Sequence, residues 1–382
     1  MNRYASQHHS SVVTGWRGDD AARVQEVLDR VVAQGVPGAV AVVWDARSGV
    51  HPFTSGSAGV STGRPPTVED RFRIGSITKM FLATVVLQLA GEGKLSLEDK
   101  LSRWLPDVVR DADTITLRQI LQHTAGIDDF VAHLRFNGES LFHEHTPGDL
   151  IKLVADKPLI SDPAQQHSYS NTGYVLAGLL IERVTGRGWR TEVQDRLIAP
   201  LGLQATSMPL RQTGIVGPHL SGYHSDAGVP EGPRFDVTEL SPTMADAAGE
   251  IISDAQDLIT FARALFGGQL LHASLLAQMT ETVPSTEPMD AYGLGLVRSD
   301  LACGASAWGH GGKIPGFSAW LAANAEATCV VAAATNQIPA DTTSFYRHLL
   351  DAVFSPVTSG APDQGDGPSE INGSTPTHPK GS

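Results

Sequence analysis

Only two cysteines, Cys303 and Cys329, occur in the 382 residues, too few for a disulfide framework or a cysteine-based zinc site. No apolar run approaches the roughly 20 residues of a membrane span. The longest, such as Val175 to Ile181 and Val330 to Thr335, fall far short. The first stretch, MNRYASQHHSSVVTGWRGDDAA, is polar and has no apolar h-region, which predicts no secretory signal and a cytoplasmic location. Positive charge is scarce too. Against 41 Asp+Glu stand 28 Lys+Arg, and the net charge of −13 repels phosphate backbones and anionic surfaces, so neither nucleic acid nor membrane is an expected partner. What remains, 41% hydrophobic and 18% charged residues with 39 Gly and 23 Pro, is the profile of a compact enzyme long enough for two structural units.

Periodicity orders the chain. In Asp19 to Gln34 the residues Val24, Val27, Leu28 and Val31 share one helical face, ended by Gly35. Gly38 to Trp44 and His51 to Gly59 read as a hairpin turning at Asp45 to Gly49. Ser76 to Glu92 is apolar nearly all round, which predicts a helix buried on every side. Helices dominate from there to about Gly267. Strand-like segments follow at Leu294 to Val297, Ala305 to Gly309, Phe317 to Ala323 and Thr328 to Thr335, an expected antiparallel meander, before a last helix at Phe345 to Phe354. The fold class expected is therefore α/β (α+β). It comprises a split sheet domain (19–75 and 245–355), an inserted, mainly helical subdomain (76–244), a flexible N-terminus (1–18) and a disordered tail (356–382). In a meander of simple order the two cysteines lie two strands apart, about 9–10 Å, too far for a bridge. Unpaired buried thiols fit a reducing compartment.

Three short motifs carry chemistry. In Ser76-Ile77-Thr78-Lys79, a serine and a lysine three apart share a helix face, and burial among Met80, Phe81 and Leu82 would lower the lysine pKa toward that of a usable base. Taken alone, the motif is better read as a chance occurrence with Ser76 as a plain helix N-cap. Tyr169-Ser170-Asn171 precedes a helix from Asn171 to Thr185, where a tyrosine can relay a proton and an asparagine can hold a substrate carbonyl; a capped loop is the alternative. His310-Gly311-Gly312 reads as a strand-ending turn whose glycines admit a substrate backbone. His143-Glu144-His145 lies in a Pro- and Gly-flanked loop, better read as solvated than as a metal site, and His8-His9 sits near the terminus.

In this order the three motifs resemble the signature of the penicillin-recognising serine acyl-enzyme superfamily. DRFRIGSITKMF, LQLAGEGKLSLED, ITLRQILQHTAGI, HSYSNTGYVLAGLLIERVTG and AYGLGL are similar to the soluble D-alanyl-D-alanine carboxypeptidases and the class C β-lactamase and esterase group, over about Asp20 to Phe354. The resemblance implies a β-lactamase/transpeptidase-like fold. It also implies Ser76 as acylated nucleophile, Lys79 as its base and Tyr169 as a second proton-transfer group. Asn171 would bind the acyl-side amide, His310 would maintain the Tyr169 and Lys79 network, and the N–H groups of Ser76 and Lys313 would form an oxyanion hole beside Gly311 and Gly312. No metal or cofactor is implied.

The departures lie on the leaving-group side. The position of the carboxylate-clamping arginine of the carboxypeptidases aligns with Val297, and a cleft tryptophan aligns with Met244. Losing such a clamp removes a contact worth roughly 1.5–3 kcal/mol. Arg298 or Lys313 could compensate from other placements. The resemblance then points to intracellular esterases and transacylases of small-molecule, antibiotic-type biosynthesis, with acyl transfer from an ester or amide through acyl-Ser76 to an amine, alcohol or water. A D,D-carboxypeptidase and a non-turnover penicillin-binding sensor are the alternatives. The partners expected are a small-molecule acyl donor and acceptor, on a monomer or weak homo-oligomer.

Overall fold

The computed structural model describes residues 18–136, 138–225, 234–285 and 290–355. The expected flexible N-terminus up to residue 17, with His8-His9, and the expected tail 356–382 lie outside the described residues.

An eight-stranded sheet forms the backbone of the structure, with every pairing antiparallel. Its order is Gly49–Gly56, Gly38–Asp45, Cys329–Thr335, Phe317–Asn324, Ser306–Ile314, Val297–Asp300, Ala291–Tyr292, Val283–Pro284. The first hairpin meets the late meander where Ala39 to Asp45 run against Thr335 to Cys329, so the two ends of the chain share one sheet. Side chains alternate across it. On one face Val40, Val42, Leu321 and Ala332 join the main core with the helices Thr78–Gly91 and Ala255–Phe266; Phe81 of the first stacks on Phe261 of the second at 3.8 Å. On the other face Ala41, Val43, Trp320 and Ala333 pack against the helices Gly18–Ala33 and Thr342–Phe354. The helix Thr78–Gly91 is buried without a break from Thr78 to Leu87, as its apolar sequence requires. Burial of each large side chain there contributes about 1.5–3 kcal/mol.

Four expectations need correction. Ser76 does not open the long helix: it occupies the preceding 3-10 turn Gly75–Ile77, and the helix begins at Thr78 with no side-chain cap. His310-Gly311-Gly312 does not end a strand, because Ser306–Ile314 runs on through it and turns only at Pro315 and Gly316, where φ is +87°. Only Val297 of Leu294 to Val297 is strand; Leu294 to Leu296 bend between Ala291–Tyr292 and Val297–Asp300, where Gly295 has φ of +75° and a Cβ would lie 2.6 Å from the Ala83 Cβ. Cys303 is exposed and not buried; both cysteines are free, and the half-buried Cys329 thiol is pushed up to about 12 by burial beside Asp45 and Asp20. Two short antiparallel pairings lie outside the main sheet: Phe72–Arg73 with Ile252–Ser253, and Tyr223–Ser225 with Arg234–Asp236, the second within the stretch read as helical.

Glycines in the strand Ser306–Ile314 explain why it reads like a turn. They answer to close approach, not to chain reversal. A Cβ on Gly312 would lie 1.8 Å from the Ile74 carbonyl oxygen, whereas one on Gly311 would meet nothing nearer than the Trp320 Cδ1 at 3.5 Å. Gly312→Ala should therefore force the strand away from the Ser76 turn and lower stability by about 1–3 kcal/mol or more. Gly311→Ala should melt close to the parent in thermal unfolding; equal melting of both variants would contradict this packing.

Candidate active site

Four segments meet above the edge of the sheet: the Gly75–Ile77 turn with the helix after it, the start of the helix Asn171–Thr185, the turns Pro242–Met244 and Asp246–Ala248, and the strand Ser306–Ile314. At their junction lies a cavity of about 500 Å³ whose walls include Ser76, Tyr169, Asn171, Met244, His310, Gly311, Gly312 and Lys313.

Lys79 sits beneath it, fully buried. Its Nζ lies 2.9 Å from Ser76 Oγ, 2.7 Å from Asn171 Oδ1 and 2.8 Å from the Ala248 carbonyl oxygen. Burial disfavours the ammonium and lowers its pKa to about 7, with the Asp129 carboxylate pulling the other way. Near neutrality the amine is thus readily available. Its two remaining N–H bonds suit the two carbonyl-type acceptors, and its lone pair then faces the Ser76 hydroxyl, the arrangement of a base and its nucleophile.

Asn171 is held by a residue that the motifs did not reveal. Asp129 accepts from the Asn171 backbone N–H at 3.2 Å and from Nδ2 at 2.9 Å, which turns the amide oxygen toward Lys79. Asp129 lies 42 positions before its partner, so no local spacing marks it. Tyr169 is half-buried on the cavity wall; its ring lies 4.1 Å from that of His123, and Lys79 Nζ is 5.0 Å from its centre. His310 is buried, and its Nε2 pairs with the Tyr292 hydroxyl at 2.8 Å. Its link to Tyr169 is a ring contact of 6.3 Å. Burial and the charge of Lys79 drive its pKa down to about 3, which keeps it neutral at working pH.

The oxyanion hole follows from backbone placement. Pairing with Val297–Asp300 stops at Gly309, so the strand edge from His310 onward lacks a strand neighbour there and packs against the Ser76 turn. A Cβ on Gly312 would lie 3.0 Å from the Ser76 nitrogen, and one on Gly75, where φ is +50°, would lie 2.7 Å from the Lys313 nitrogen. Both amides therefore lie where the Ser76 turn and the strand come into contact.

Val297 lies elsewhere. It is buried in the sheet opposite Gly309 and Tyr292 and forms no part of the cavity wall. Arg298 turns to Asp300 at 3.0 Å. Met244 does line the cavity, as does the exposed Lys313. His143 and His145 stay in their loop with rings 4.6 Å apart, and among the described residues no group of three or more His, Cys, Asp or Glu is placed to hold a metal.

The Beta-lactamase family model matches residues 22–353, the whole of the stretch that carries these groups. The chain belongs to that family. Its relatives include penicillin-binding protein 4 of Amycolatopsis lactamdurans, 30% identical over 305 residues that span 76% of this chain and 75% of the relative. The D-stereospecific amidohydrolase from Streptomyces sp. superposes with a TM-score of 0.80 at 38% identity, covering 88% of this chain and 98% of that one. The D-amino acid amidase from Ochrobactrum anthropi SV3 gives 0.80 at 27%, over 87% and 98%. This β-lactamase family member is accordingly a serine hydrolase of the acyl-enzyme type.

The lysine governs its pH dependence. The rate of Ser76 acylation by a p-nitrophenyl ester should rise with pH through an acid limb near about 7, as Lys79 loses its proton. Asp129 stabilises the ammonium, so Asp129→Asn should move that limb to lower pH; a kcat/KM profile shifted upward would refute the assignment.

Proposed function

We propose that this hydrolase acts on small amides or esters of D-configured amino acids, forming an acyl-Ser76 ester that water then cleaves. The observation that carries this reading is the 38% identity to the D-stereospecific amidohydrolase over almost the whole of both chains. The site supports it chemically. Neutral Lys79 would take the Ser76 proton as Oγ attacks the carbonyl, the Ser76 and Lys313 amides would receive the oxyanion, and Tyr169 would give its hydroxyl proton to the leaving group and regain one from the Lys79 ammonium, leaving Lys79 neutral for deacylation. Phe130, Val131, Phe136 and Met244 on the cavity wall suit an apolar side chain on the acyl group.

A second reading, transfer of the acyl group to an amine, draws on the cavity itself. At about 500 Å³, with Ile314, Trp320, Ile338 and Tyr346 on its walls, it has room for a second reactant and apolar surface that disfavours water. Small amides and esters of this kind suit the small-molecule biosynthesis expected from the sequence. Carboxypeptidase action is less well served, since Val297 is buried away from the cavity and Arg298 is paired with Asp300.

Incubation with D- and L-phenylalanine amide and methyl ester tests the proposal. Turnover of the D forms should exceed that of the L forms at least about tenfold, and Ser76→Ala should abolish both turnover and the acyl adduct seen by intact mass. Amide products formed with added amines would mark transfer. Release of D-alanine from an acyl-D-Ala-D-Ala peptide without turnover of the amides would overturn the reading, as would a persistent penicillin adduct with no turnover of any substrate.

A further inference from the structure

Three buried side chains beside the catalytic groups form a continuous chain that the reaction steps above leave unused. His123, Tyr292 and His310 are 2%, 0% and 2% exposed. The Ser170 backbone N–H meets His123 Nδ1 at 3.1 Å, His123 Nε2 meets the Tyr292 hydroxyl at 3.2 Å, that hydroxyl meets His310 Nε2 at 2.8 Å, and His310 Nδ1 meets the Gly311 carbonyl oxygen at 2.5 Å.

The two ends determine the middle. A backbone N–H only donates and a carbonyl only accepts, so His123 Nδ1 carries no hydrogen and His310 Nδ1 carries one. Both rings are neutral, because burial and the nearby Lys79 charge hold their pKa values well below the ordinary range. His123 therefore donates from Nε2 to Tyr292, and Tyr292 donates to His310 Nε2. Every bond runs in one direction, from a peptide N–H to a peptide carbonyl. Neither terminus exchanges a proton with the reaction, so the chain is a mechanical tie and not a proton wire.

What it ties is the site. Ser170 lies between Tyr169 and Asn171 on the helical side, and the His123 ring also lies against that of Tyr169. Gly311 lies on the sheet side, two residues before the Lys313 amide. Tyr292 enters from the far part of the sheet, opposite Val297, just before the Gly295 bend that packs on the helix bearing Lys79. The geometry points to Tyr292 as a positioning residue: its hydroxyl, through His123 on one side and His310 on the other, sets the spacing between the Tyr169–Asn171 wall and the oxyanion-hole strand.

This inference rests on the acyl-enzyme reading of the site, and the experiment separates the two. In the 15N-labelled full chain at neutral pH, long-range 15N–1H spectra should show His123 neutral with hydrogen on Nε2 and His310 neutral with hydrogen on Nδ1. The opposite tautomer at either ring would overturn the tie. In Tyr292→Phe, kcat for D-phenylalanine methyl ester should fall roughly 10–100-fold, as a displacement of about 1 Å at the reacting groups would cause. KM should change less than about threefold. His123→Asn offers a second route, because its amide oxygen can still accept from Ser170 while the link to Tyr292 is lost. Since both substitutions cut one chain, the double variant should lose little beyond the worse single one. Losses that multiply, or wild-type kcat in a folded Tyr292→Phe, would overturn the proposal. Should the D-amino-acid ester not be turned over by the parent enzyme, the substrate reading fails alone, and the tie is still read from the tautomers and from the rate of Ser76 labelling by p-nitrophenyl acetate.

Discussion

A single amine, that of Lys79, buried where three stretches of chain supply its hydrogen-bond partners, is the constraint around which this structure is organised. Taking an ammonium out of water is costly, and only its partners or the loss of its proton can offset that cost. Here both occur. Ser76 comes from the same helical run, Asn171 from the helix that starts 92 positions later, and the Ala248 carbonyl from a turn 169 positions away. The lysine acquires its full environment only once the inserted helices and the sheet have closed on one another. Its shift toward neutrality is therefore a property of the assembled site.

The second requirement is closeness of backbone. An oxyanion formed at Ser76 needs two amide hydrogens within a hydrogen bond's reach, and a side chain at Gly75 or Gly312 would hold the strand and the turn apart. These glycines let a strand of the sheet double as one wall of the catalytic centre. The same strand carries His310, whose hydrogen bonds with Tyr292 and Gly311 keep the wall in register with the helical side. Lys79, Ser76 and the strand from His310 to Lys313 are thus held by elements that pack on one continuous core. The cavity they surround is mostly apolar, which matches acyl groups with apolar side chains better than substrates that need a clamp for a free carboxylate.

Much of this was legible before any coordinates. The helix faces of Val24 to Val31, the all-round apolar run after Ser76 and the late strands are periodic, and periodicity follows directly from which side chains water rejects. The motifs at Ser76, Lys79, Tyr169, Asn171 and His310 were legible for a different reason: each is short, and their order along the chain carries the resemblance. The misreading of the strand through His310 has a plain cause. Glycines at 309 and 312 mark a close approach of backbones, yet in sequence they look the same as glycines that end a strand. Asp129, His123 and Tyr292 went unmarked because their partners lie 42, 169 and 18 positions away, and no periodicity connects them.

By itself, then, the sequence determined the elements, the order of the motifs and the acyl-enzyme chemistry those residue types permit, because hydrophobic period and side-chain reactivity are local properties. Only the tertiary structure decided that Lys79 sits near the pKa of a working base, that Asp129 sets the direction of Asn171, that Tyr292 joins the two walls, and that Val297 lies away from the cavity. Those outcomes depend on burial and on which distant groups come within hydrogen-bond reach, quantities that exist only after the chain has folded.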